Sequence, residues 1–181
     1  VRLYSSDDLY NWKSEGIIMS PSEDEENPLH PSQYMDRPHI IYCKKTKQFV
    51  MWMKIMRKEN PSNQYMTIAV ADKITDEFKI IKTIQPLGFS SGDFDLVVDE
   101  DTDKAYIYFD KVHDFKNLDM LHKDIVCGEL TDDYTDVTGN YANYHDNTPY
   151  YLGIEAPAFC KRGEKMYLFM SRTTGYIPNP T

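Results

Sequence analysis

The stretch Met35–Met53, MDRPHIIYCKKTKQFVMWM, decides the fold, because variants of it occur twice more in the chain. Gly92–Phe109 reads GDFDLVVDEDTDKAYIYF, and Ile154–Met170 reads IEAPAFCKRGEKMYLFM. Each carries an acidic residue near its start, then a short apolar strand, a charged turn of about five residues and a second strand of aromatic and aliphatic residues. The acidic leads are Asp36, Asp93 and Glu155, spaced about sixty residues apart. Further strand-like runs follow the first two units: YMTIAVAD (65–72) with FKIIKTI (78–84), and DIVCGEL (124–130) with YTDVTGNY (134–141).

A unit of four antiparallel strands repeated radially is a propeller blade, so the sequence predicts an all-β chain organised as a β-propeller. The expected layout is a partial propeller over residues 1–181. Residues 1–20 end one blade, 36–85 and 90–141 are whole blades, and 153–181 begin another.

Composition agrees with a packed β domain. The 181 residues are 41% hydrophobic and 13% aromatic, with 14 Tyr, which is enough for a core and argues against disorder. The net charge of −9 and the acidic run Ser22–Asn27, SEDEEN, lack the basic footprint that phosphate backbones require, so nucleic acid is excluded as a partner. No stretch approaches the roughly 20 apolar residues of a membrane helix, and no membrane association is expected. Cys43, Cys127 and Cys160 are widely spaced and odd in number, which suits neither a disulfide framework nor a zinc site. The histidines show no HExxH pairing, and Lys104 occupies the position where a calcium loop beginning at Asp99 needs glycine. No cofactor or metal is expected.

An acidic residue before a strand is ordinarily a solvated turn position. In a propeller, however, the innermost strands converge on the central channel, so carboxylates at corresponding positions of successive blades share one site. Like charges so placed push their pKa values apart, which is how one site obtains both an acid and a base.

These motifs resemble glycoside hydrolase family 43, five-bladed propeller enzymes, and in particular its exo-β-1,3-galactanase-like branch. DRPHIIYCKKTKQFVMWM is similar to that branch's Glu-Arg-Pro blade start, and SSGDFDLVVDEDTDKAYIYF to its Ser-Arg-Asp blade. EAPAFCKRGEKMYLFMSRTTGYIPN resembles its Glu-Ala-Pro blade, and LYSSDDLYNWKSEG the end of the first blade. The resemblance implies a general acid at Glu155 and, at Asp93, a carboxylate that raises the acid's pKa and orients it. It implies a contact from Asp36 to the sugar at the non-reducing end, and further substrate contacts from Thr173, its neighbour Arg172 and the aromatic ring of Tyr176. Asp36 replaces the branch's glutamate, and Gly92 replaces an arginine. Asp95 lies two residues beyond Asp93 and competes for its role, while Asp146 is a weaker candidate.

The implied activity is inverting hydrolysis of glycosidic bonds in plant-type polysaccharide side chains: galactan, with arabinan or xylan as further candidates. The water-activating partner falls in blades expected outside this chain, as part of a propeller of about 300 residues. Relatives usually act outside the cytoplasm, so the resemblance favours a secreted or periplasmic location. The alternative is a non-catalytic carbohydrate-binding or structural propeller segment, inactive through truncation.

Overall fold

The run Gln48–Met56, QFVMWMKIM, is apolar on both faces, a pattern that a strand carries only when both of its faces are covered. The computed structural model, which describes residues 1–57, 59–113, 124–145 and 153–173, supplies both covers. The chain forms β1 (Arg2–Ser5), β2 (Lys13–Ile17), β3 (Tyr34–Cys43), β4 (Gln48–Met56), β5 (Gln64–Ala71) and β6 (Lys79–Ile84). It continues through β7 (Ser91–Asp99), β8 (Lys104–Lys111), β9 (Asp124–Leu130), β10 (Val137–His145), β11 (Gly153–Arg162) and β12 (Lys165–Thr173). Two antiparallel sheets of four strands, β3-β4-β5-β6 and β7-β8-β9-β10, stand between the two-stranded sheets β1-β2 and β11-β12. The fold is all-β, with sheets built as propeller blades.

On one face of β4, Met51 and Met53 pack with Ile18, Met19, Ala69 and Phe78. On the other, Val50 and Trp52 meet Ile68, Leu96, Ile107, Phe109 and Val126, so this cluster cements the two complete blades. Trp52 is fully buried, and its indole N–H donates to the Tyr134 carbonyl at 2.9 Å. The last strand of the second blade begins at Val137, three residues later than its sequence run. Residues Thr131–Asp136 are held as a turn in which the Asp133 carboxylate accepts from the Thr131 hydroxyl and the Thr135 N–H.

The repeat is visible as a shared irregularity. Strand register shifts between Asp36 and His39 in β3, between Ser91 and Phe94 in β7, and between Glu155 and Ala158 in β11. These bulges align Asp36 with Ser91 and Glu155, so Asp93 stands two residues beyond the corresponding position. Arg37 and Ala156, which follow two of the leads, adopt left-handed φ values of 50° and 53°. Such backbone persists in non-glycine residues only where its surroundings hold it.

At the opposite end of the inner strands, exposed ion pairs link the hairpin turns of neighbouring blades. Lys44 meets Asp103 at 2.6 Å, and Lys161 meets Asp101 at 2.7 Å. Within the acidic turn that begins at Asp99, the Asp99 carboxylate accepts from the Thr102 hydroxyl and the Asp101 N–H.

Near the axis the blades are tied by Asp95. One of its oxygens accepts from the Leu96 N–H and pairs with His39 Nδ1 of the preceding blade, both at 3.0 Å. The other accepts the Phe159 N–H of β11 at 2.7 Å. Burial works to raise the Asp95 pKa, but the bonds from His39, Phe159 and Leu96 outweigh it and hold the carboxyl below its ordinary value. A carboxyl depressed in the folded state contributes stability above its unfolded pKa of about 3.9 and loses it as pH falls through the folded value. In urea titrations, the stability advantage of wild type over Asp95→Asn is therefore expected to be level near neutrality and to shrink below about pH 4. An advantage independent of pH would contradict this.

A side chain at Gly92 would have to displace the buried Asp110 carboxylate. A Cβ there would lie 2.3 Å from Oδ2 of the buried Asp110 and 2.8 Å from its Cγ. Gly92→Ala is expected to cost about 1–3 kcal/mol, read as a lower urea midpoint at unchanged slope. An unchanged midpoint would contradict the close approach.

Candidate active site

The site is assembled from strand starts. Asp36 on β3 lies directly across the ladder from Lys54 on β4. A lysine in an otherwise apolar strand must find a counter-ion, because an unpaired buried charge is costly. Lys54 finds two. Its ammonium lies 2.8 Å from Asp93 Oδ1 and 3.2 Å from Asp36 Oδ2, and its side chain is only 11% exposed. Burial works to lower the Lys54 pKa, but the hydrogen bond to Asp93 and the charges of Asp93 and Asp36 overcome it, leaving the pKa raised. The ammonium is therefore firmly charged at neutral pH.

Asp93 is gripped from both sides. Arg37 donates to its Oδ2 at 3.2 Å and to the Phe94 carbonyl at 3.4 Å, reaching across from the preceding blade. The guanidinium thus approaches Asp93 from Arg37, while Gly92, which precedes Asp93, is kept bare by Asp110. Asp36 is half exposed, and among the described residues its Oδ1 has no hydrogen-bond partner.

Glu155 stands at the start of β11, four residues before the Phe159 N–H that Asp95 holds. The Ser171 hydroxyl donates to the Glu155 backbone carbonyl at 3.2 Å. Among the described residues, none hydrogen-bonds or ion-pairs with the Glu155 carboxylate. Asp36, Asp93 and Glu155 thus sit near the starts of β3, β7 and β11, and β7 packs against both of the others. Asp95 is committed to His39, Leu96 and Phe159, a structural duty distinct from that of Asp93. Arg172 lies across the ladder from Ile154, and Thr173 across from Gly153. Tyr176 and Asp146 lie outside the described residues.

Lys54, Arg37 and His39 belong to this cluster, and the motif comparison did not single them out. Lys54 carried a signal: it is the one charge in FVMWMKIM, the most apolar stretch of its blade. Arg37 and His39 carried none, since an arginine and a histidine flanking a proline at a strand start read equally well as surface residues.

The chain matches glycosyl hydrolases family 43 over residues 1–179. Among solved structures it is similar to a family 43 β-1,3-galactosidase at 30% identity and TM-score 0.83, covering 99% of this chain and 36% of that one. A second β-1,3-galactosidase, determined with galactodeoxynojirimycin, matches at 28% identity and TM-score 0.80, covering 98% and 61%. An exo-β-1,3-galactanase from Clostridium thermocellum matches at 27% identity and TM-score 0.78, covering 98% and 38%. No curated protein matches significantly. The chain therefore spans less than two thirds of the length of each of these solved relatives. The repeated blades, the carboxylates near their inner-strand starts and a match along almost the whole sequence lead to one conclusion: the chain belongs to glycosyl hydrolase family 43.

Proposed function

We propose that this chain forms the central part of the catalytic propeller of an inverting, exo-acting glycoside hydrolase that cleaves β-1,3-linked galactose from galactan side chains. The observation that carries the reading is the cluster of Asp36, Lys54 and Asp93 across two blades, with Glu155 at the start of the next. Family membership and similarity to β-1,3-galactosidases support the substrate class.

In this reading Glu155 donates its proton to the glycosidic oxygen as the bond to the anomeric carbon breaks. Its carboxylate has no partner among the described residues, which leaves it available to an incoming oxygen. Asp93 orients the acid, while Lys54 and Arg37 fix Asp93 in place. Asp36 accepts hydrogen bonds from hydroxyls of the non-reducing-end sugar. Thr173 and Tyr176 add substrate contacts from the segment that follows Glu155. A water on the opposite face of the sugar attacks the anomeric carbon and gives its proton to a base. Inverting geometry places that base about 6.5–9.5 Å from the acid. Blades other than those described supply it, so the remaining blades are the partners the site needs.

The test uses the protein with its flanking sequence. Glu155→Gln is expected to lower hydrolysis of unactivated β-1,3-galactobiose by about 10²–10⁴-fold, with galactose binding by calorimetry retained. Retained turnover would overturn the assignment. Binding without turnover in the wild type would favour a non-catalytic carbohydrate-binding propeller, and release of arabinose or xylose in place of galactose would replace the substrate.

A further inference from the structure

We infer that Lys54 is a positioning residue that sets the sugar-recognising orientation of Asp36, and that it does so by clamping Asp36 and Asp93 of two different blades into one unit. The inference rests on the glycoside-hydrolase reading of this site. It adds a determinant of affinity for the non-reducing-end sugar.

The geometry is specific. Asp36 is half exposed, and one of its carboxylate oxygens is fixed by the Lys54 ammonium at 3.2 Å. The other is open among the described residues. A short carboxylate so exposed samples several rotamers unless something holds it, and ordering it at the moment of binding weakens affinity. Lys54 does the holding beforehand. Its own side chain is buried on an apolar strand, and its head is fixed by Asp93 at 2.8 Å, so the clamp has a rigid base.

Charge balance points the same way. The cluster holds two carboxylates, Asp36 and Asp93, and two cations, Lys54 and Arg37. Among the described residues, Arg37 pairs with Asp93 and not with Asp36, so removing the Lys54 charge leaves Asp36 with no cation. Asp93 keeps one. Loss of Lys54 therefore falls chiefly on Asp36, and so on binding of the sugar.

The experiment measures KM and kcat on β-1,3-galactobiose, and galactose affinity by calorimetry, for the intact protein and its variants. Lys54→Met is expected to raise KM and the galactose Kd about ten- to hundred-fold, with a smaller change in kcat. Lys54→Arg, which keeps the charge and several donors, is expected to recover most of the loss. If Lys54 acts through Asp36, the double variant Lys54→Met/Asp36→Asn binds within about two-fold of Asp36→Asn alone. A purely structural role would instead give additive losses, or a lower melting temperature with KM and kcat unchanged, and either result overturns the inference. Should Lys54→Met not fold, Lys54→Gln keeps a donor, one bond shorter and without the charge, and it must still raise KM. If Glu155→Gln retains hydrolysis, the parent reading fails while the galactose Kd series still decides the role of Lys54. A wild type that neither hydrolyses nor binds overturns both.

Discussion

The inner strand of a propeller blade has one edge with no strand to pair with. Here β3, β7 and β11 each sit at the end of their sheet, and unpaired backbone groups on such an edge must be satisfied by some other route. Side chains of the same strand and of neighbouring blades provide it. Asp95 takes the N–H groups of Leu96 and Phe159, and Arg37 donates to the Phe94 carbonyl. Charged residues are thus drawn to the axis by the architecture itself, before any chemistry is asked of them. Asp93, Lys54 and Asp36 occupy the same neighbourhood, and the network that closes the edges is continuous with the one that builds the site.

The blade repeat was legible because two-residue periodicity, turn composition and acidic leads recur together at a regular spacing. The bulges were not. A bulge adds a residue to a strand without changing its composition, so Asp93 read as the counterpart of Asp36 and Glu155 when strand pairing aligns Ser91 with them. Asp95 was legible only as a rival to Asp93, because the partners that distinguish it, His39 and the Phe159 N–H, come from other blades. Lys54 was the most recoverable omission: a lone cation in an apolar, doubly covered strand announces a buried counter-ion.

Gly92 shows how a departure from a family pattern acquires a physical cause. Asp110 occupies the space that a side chain at position 92 would need, so any side chain there would have to displace the buried Asp110 carboxylate. Asp93 nonetheless receives a guanidinium, from Arg37 one blade earlier.

The two ends of the blade-to-blade seam differ in how water reaches them. At the hairpin turns, Lys44–Asp103 and Lys161–Asp101 are exposed pairs of the kind that dissolved ions screen. At the strand starts, the Lys54 clamp is largely withdrawn from solvent. Rising ionic strength therefore slackens the seam from the turn end while the carboxylate end holds. The carboxylate end thus keeps its geometry over a range of salt in which the turn-end pairs fade.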